Sequence, residues 1–138
     1  MKHPFGASQQ IAPLPYEVDF TGFVSNTVVL HWMERLRVQL MAQCFPEIDL
    51  TAPSNLSVIR RAEVNYLRPI RFTDRLMGDA FIQQVLSTSW VVKFSFTNIS
   101  TSEVCFMGSQ TGVFIDTATL KPKRIPALIQ QKLNSLEV

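Results

Sequence analysis

The 138-residue chain carries 13 Lys plus Arg against 11 Asp plus Glu, a net charge of +2, with 46% hydrophobic and 17% charged residues. That composition excludes a disordered chain and describes one domain able to bury roughly two thirds of its unfolded surface. So small a charge, with no like-charge block longer than Arg60-Arg61, points away from nucleic acid, and no run approaches the roughly 18 apolar residues of a membrane span.

Residues 1–12 are small and polar, and flexibility is expected there. Pro13 and Pro15 frame an extended piece leading into Tyr16-Glu17-Val18, an edge strand at best. From Ser25 to Cys44 no glycine or proline interrupts. Apolar residues recur at Val29, Met33, Leu36 and Leu40, widened by Val28, Trp32 and Met41, which predicts a helix of about five turns. Its first half is apolar almost all round, so its front is expected to be deeply enclosed by a wrapping sheet. Pro46 ends the helix, and a loop runs to Asn55.

Strands follow. Between Leu56 and Tyr66 the even positions Leu56, Val58, Ala62, Val64 and Tyr66 are apolar, a period-two pattern broken by Arg60. Leu76–Leu86 and Trp90–Phe96 continue the pattern, with Trp90, Val92, Phe94 and Phe96 on one face as packing residues rather than a ligand cage. Val104–Ile115 is a further strand, in which Gly108 and Gly112 mark a bulge or a close approach of neighbouring chain. Ala127–Leu136 is expected to form a short helix with Leu128, Ile129, Leu133 and Leu136 inward. One short strand, a long helix and four strands make an α+β domain spanning 1–138.

Inventory removes several chemistries. His3 and His31 are the only histidines, His3 in the terminal segment and His31 mid-helix, and Gly108-Ser109-Gln110-Thr111-Gly112 places its serine one position early for a nucleophile elbow. The chain offers neither a zinc ligand set nor a glycine-rich phosphate loop. Cys44 and Cys105 read as buried apolar residues. The N-terminal Met-Lys-His-Pro-Phe-Gly lacks a charged stretch followed by an apolar core, so a cytoplasmic protein is expected.

What remains is a carboxylate just before a helix. Asp19 follows the first extended piece, Gly22 allows a tight turn, and the helix begins by Ser25 or Asn26. The unpaired first-turn N–H groups and the positive end of the helix dipole suit a developing oxyanion. A carboxylate beside them can attack an activated carbonyl such as a thioester, or activate water against it. Read locally, the same residues are also an aspartate capping a turn and a loop glycine.

Asp19-x-x-Gly22-x-Val24-x-Asn26, then Trp32-x-Glu34-x-x-Arg37, Val64-x-Tyr66-x-x-Pro69, Asp74-x-Leu76 and Val113-Phe114-Ile115-Asp116 with Lys121-Pro122 and Ile125-Pro126, together resemble the signature of hot-dog fold thioesterases of the 4-hydroxybenzoyl-CoA and acyl-CoA type. The resemblance spans residues 16–126. It implies a long helix wrapped by a curved antiparallel sheet, with homodimers or homotetramers whose active sites lie between subunits. It implies Asp19 as catalytic carboxylate, Gly22 in the catalytic turn, and the backbone N–H of Asn26 as the donor to the thioester carbonyl. Val24 and Ser25 fall beside the acyl group. Ser25 and Val29 depart from the aromatic residues often found there, which tilts the expectation towards an aliphatic acyl group.

Glu34 and Arg37 lie three apart on the helix, either as a partly buried pair or as groups positioning substrate or water. Arg60 interrupts a strand face and, with Arg61, Arg68, Arg71 and Lys123, is a candidate for coenzyme A phosphates, the alternative being solvated charge. The implied activity is hydrolysis of an acyl-CoA or acyl-carrier-protein thioester, with no metal or cofactor beyond the coenzyme A or phosphopantetheine of the substrate, and with neither nucleic acid nor membrane as partner. The alternative in another class is a non-catalytic, acyl-thioester-binding or regulatory hot-dog protein. Enoyl hydration on the same fold ranks last, because no histidine stands near Asp19.

Overall fold

A computed structural model describes residues 5–136 of the chain. In chain order the elements are β1 (Gly6–Ile11), a 3-10 turn at Pro15–Glu17, α1 (Asn26–Cys44), a 3-10 turn at Pro53–Asn55, β2 (Ser57–Tyr66), β3 (Leu76–Val85), β4 (Ser89–Asn98), β5 (Val104–Phe114) and α2 (Ala127–Leu136). The strands form one antiparallel sheet in the order β1-β3-β4-β5-β2. α1 lies along one face of it, which is the α+β arrangement implied by the resemblance. His3 and the side chain of Leu136 lie outside what the structure describes.

α1 buries the stripe Val29, Trp32, Met33, Leu36, Leu40 and Cys44. Each fully buried large side chain among them contributes roughly 1.5–3 kcal/mol. Its partners come from β4, whose alternate residues Trp90, Val92, Phe94 and Phe96 all point to the helix side. Phe96 stacks on Phe106 at 4.2 Å between centroids, and Trp32 sits 6.3 Å from each ring. The glycines of β5 provide close approach, not a bulge: a Cβ at Gly108 would meet the Glu63 carbonyl and Met33, and one at Gly112 would fall within the Trp90 ring. Cys44 and Cys105 are buried free thiols, and burial raises both above the ordinary thiol range.

Five expectations need correction. Residues 6–11 of the expected flexible segment are β1, which pairs with β3 from Gly6 opposite Phe81 to Ile11 opposite Leu76. Tyr16-Glu17-Val18 is not a strand: Pro15–Glu17 make a 3-10 turn, because Pro15 fixes φ at its start, and Val18 makes only an isolated bridge to Val24. The front of α1 is not enclosed all round, since Leu30 and His31 face outward from the single chain. In β2 the phase changes at a bulge between Ile59 and Arg61, where Arg60 is the extra residue. Ile59 rather than Arg60 is therefore opposite Gly112, and beyond the bulge Val64 packs against the core. Finally, α2 buries Ile129 and Leu133 but leaves Leu128 58% exposed.

Candidate active site

The loop between the 3-10 turn and α1 is closed on itself. Val18 and Val24 form a bridge, the Asp19 N–H donates to the Phe23 carbonyl at 3.0 Å, and the Gly22 N–H donates to the Asp19 carbonyl at 3.0 Å. Gly22 has φ +86°, a conformation that costs a side-chain-bearing residue roughly 1 kcal/mol or more. The connection from β2 to β3 braces this loop: Val24 N–H donates to the Ile70 carbonyl at 2.8 Å and Phe23 bridges Arg71. Asp74 in turn accepts the Arg71 N–H at 2.8 Å.

Asp19 is exposed on this loop. Its Oδ1 accepts the Thr21 N–H at 2.9 Å and the Thr21 hydroxyl. These two bonds hold its carboxyl below the usual aspartate value of 3.8, so it is ionised at neutral pH. The turn-capping role read from the local sequence is thus present. Oδ2, however, takes no donor among the described residues, and a carboxylate with one oxygen anchored and the other open is suited to attack or to take a proton.

α1 starts immediately beyond. Ser25 is the N-cap in extended conformation without a side-chain cap bond, its hydroxyl lying 3.1 Å from that of Thr27. Val28 N–H donates to the Ser25 carbonyl at 3.0 Å, while the N–H groups of Asn26 and Thr27 find no acceptor among the described residues. They are the open donors at the positive end of a 19-residue helix.

Three residues outside the sequence-based set of site residues position this centre. The Tyr66 hydroxyl donates to the Asn26 carbonyl at 2.7 Å, fixing the first turn from β2. Glu17 accepts the Leu14 N–H at 2.7 Å and the Trp32 indole N–H at 3.1 Å, and its own carbonyl takes the Ser25 N–H at 2.9 Å. These bonds cross 40 and 15 positions in the chain, so only the aromatic side chains in the signature hinted at them.

The other expected residues are placed as follows. Val24 is buried, and its N–H is committed to the Ile70 carbonyl. Glu34 grips both Arg37 Nη atoms at 2.6 Å, and Gln110, which is 2% exposed, accepts from Arg37 at 2.7 Å and donates to Glu34 at 3.2 Å. Arg61 pairs with Glu63 and Arg68 with Glu103, while the Lys123 ammonium rests on the Ser54 carbonyl. Arg60 and Arg71 have no acidic side-chain partner among the described residues. Exposed aromatic surface surrounds the centre: Phe20 is 100% and Tyr16 82% accessible.

No three His, Cys, Asp or Glu side chains converge among the described residues. Nor is any described helix long and apolar enough to cross a membrane.

Against known proteins, the profile of the thioesterase-like superfamily matches residues 13–133. No curated protein gives a significant match. Among solved structures, a thioesterase of Thermus thermophilus complexed with coenzyme A and Zn is 25% identical, with TM-score 0.78 and coverage of 94% of this chain and 93% of that one. A predicted thioesterase of Bacillus stearothermophilus is 24% identical, with TM-score 0.80 and coverage of 94% and 95%. The 1,4-dihydroxy-2-naphthoyl-CoA thioesterase of Synechocystis is 13% identical, with TM-score 0.84 and coverage of 95% and 97%.

Proposed function

Because the chain belongs to the thioesterase-like superfamily, we propose that it hydrolyses an acyl thioester of coenzyme A or of a carrier protein, with Asp19 as the catalytic carboxylate. The observation that carries this reading is the pairing of an ionised, half-anchored Asp19 with the open N–H groups of Asn26 and Thr27. The thioester carbonyl oxygen rests on the Asn26 N–H, where the helix terminus stabilises the negative charge that grows as the carbonyl carbon is attacked. Asp19 Oδ2 attacks that carbon and the carbon–sulfur bond breaks, after which water hydrolyses the resulting mixed anhydride and restores the carboxylate; or Asp19 takes a proton from a water that attacks in its place, and the carbon–sulfur bond breaks as the tetrahedral intermediate collapses. By either route one water is consumed, and the products are a carboxylic acid and a free thiol. No metal or cofactor is needed beyond the coenzyme A or phosphopantetheine of the substrate, and the Thermus neighbour complexed with coenzyme A supports that ligand class. Among the arginines that the sequence offered for its phosphates, Arg60 and Arg71 have no acidic side-chain partner among the described residues.

A pair of copies completes the reading. β2 is a sheet edge bearing the exposed side chains of Val58, Ile59 and Tyr66, and such an edge calls for a cover. Antiparallel pairing of β2 with its copy about a two-fold axis covers it and makes a homodimer, one of the assemblies the resemblance implies. A cytoplasmic setting belongs to the same proposal.

The test is thiol release by the purified protein from a panel of aromatic and aliphatic acyl-CoA and acyl-carrier-protein thioesters. Turnover of at least one class is expected. Saturable binding without turnover on every member would instead identify a non-catalytic binding protein. The pH profile of kcat/KM adds an independent reading, because it reports groups of the free enzyme. Asp19 must be ionised, and its carboxyl lies below the ordinary 3.8. The rate should therefore stay flat down to the ordinary aspartate range and fall only below it. An acid limb well above that range would mean that burial by a second copy outweighs the Thr21 bonds.

A further inference from the structure

Asp19 is exposed on its loop, so packing within the chain does not decide which carboxylate oxygen meets a substrate. We infer, resting on the thioesterase reading, that Thr21 is the positioning residue of the reaction: its hydroxyl, oriented by the Phe23 N–H, keeps Asp19 Oδ1 as an anchor and so presents Oδ2 as the reacting oxygen. The same hydroxyl thereby converts a turn-capping aspartate into a presented carboxylate.

A free hydroxyl rotates and can turn its proton in any direction. Here the rotor is set. Thr21 Oγ1 accepts the Phe23 N–H at 3.3 Å, and a carboxylate oxygen can only accept, so the hydroxyl proton goes to Asp19 Oδ1. Bonds in such a series polarise one another. Phe23 is itself fixed: its carbonyl takes the Asp19 N–H at 3.0 Å, and it bridges Arg71, whose N–H ends on Asp74 at 2.8 Å. A continuous series of backbone and side-chain contacts therefore runs from the β2–β3 connection to Oδ1, and the orientation of the carboxylate is tied to the folded sheet as well as to its own loop.

The molecule contains its own comparison. In Asp49-Leu50-Thr51 the carboxylate again accepts the N–H and the hydroxyl of the threonine two places on, at 2.9 and 2.6 Å. Among the described residues, however, no N–H donates to the Thr51 hydroxyl, and the turn leads into a 3-10 turn of three residues instead of a long helix. Asp49 is a capped turn and no more. At Asp19 the added Phe23 bond and the start of α1 give the same local motif a reacting partner to face. Two donors on Oδ1 draw the negative charge towards the anchored oxygen and hold the carboxyl below 3.8. Without the hydroxyl the side chain turns more freely, and a carboxylate that spends part of its time turned away is less often in line with the thioester carbon.

Thr21→Val keeps the branched shape and the backbone N–H and removes only the hydroxyl, whereas Thr21→Ser keeps the hydroxyl. On whichever thioester the wild type cleaves, Thr21→Val should lower kcat about tenfold, leave KM within about twofold, and move the acid limb of kcat/KM to higher pH. Thr21→Ser should match the wild type in kcat and in the position of that limb. Thr51→Val, which removes the equivalent hydroxyl from Asp49, should change neither. Wild-type kcat and an unmoved acid limb in folded Thr21→Val would overturn the assignment while leaving thioester hydrolysis standing, and so would equal losses in Thr21→Val and Thr21→Ser, which would trace the effect to loop shape. If the wild type turns over nothing, the hydrolysis reading fails, and carbon-13 NMR titration of the Asp19 carboxyl in the same proteins decides the anchor alone. Its midpoint should rise in Thr21→Val and hold in Thr21→Ser and Thr51→Val; an unmoved midpoint in Thr21→Val would show that the hydroxyl does not hold Oδ1.

Discussion

Replacing Asp19 with Ala or Asn is expected to lower thiol release by about 10³-fold or more, with the fold intact. The two substitutions separate the roles of the carboxylate. Asn keeps a side-chain oxygen able to accept the Thr21 N–H and so preserves the turn closed by Gly22 and Phe23, but it offers neither a nucleophile nor a base. Ala removes the turn bond as well. Equal losses of kcat, with unchanged circular dichroism and melting temperature, would assign the chemistry to the carboxylate. A large loss for Ala beside near-normal turnover for Asn would show that Asp19 only shapes the loop, and would move the catalytic group elsewhere.

The largest effect on stability is expected at Trp32. The side chain is fully buried against Phe96 and Phe106, so Trp32→Ala should cost roughly 3–5 kcal/mol and lower the melting temperature by about 10–20 °C. Trp32→Phe keeps much of the packing and removes the indole donor from Glu17. Its stability cost should be smaller, roughly 1–3 kcal/mol. Turnover should nonetheless fall with it, because Glu17 ties the 3-10 turn to α1 and its carbonyl holds Ser25 at the helix start. Thermal melts and thiol release on the same two proteins check this. Full activity of Trp32→Phe would show that the loop keeps its geometry without that tie.

The elements that the sequence discloses most clearly are those whose own periodicity determines them. α1 runs Asn26–Cys44 and α2 Ala127–Leu136, and β4 alternates buried and partly buried residues along its whole length. β1 was hidden because Gly-Ala-Ser-Gln-Gln-Ile has little strand propensity of its own; it is made by pairing with β3. The bulge at Arg60 was visible as a break in alternation, but a break does not say that the phase changes beyond it. At the candidate site, Asp19, Gly22 and Asn26 stand out because the bonds that shape their turn span only a few residues. The braces from Glu17 through Trp32 and from Tyr66 to Asn26 join distant elements and leave no local periodicity to read.

The strand order carries a consequence for how the molecule comes together. β3, β4 and β5 pair with their sequence neighbours through short turns, so this meander forms from local contacts. β1 and β2 each close a loop of many residues before finding their edges, which costs entropy before any contact rewards it. The edges are therefore expected to dock after the meander, and β2 is the edge whose Tyr66 secures the start of α1. A molecule caught with only its meander in place is compact but has no assembled helix terminus facing Asp19, so competence arrives with the final strand.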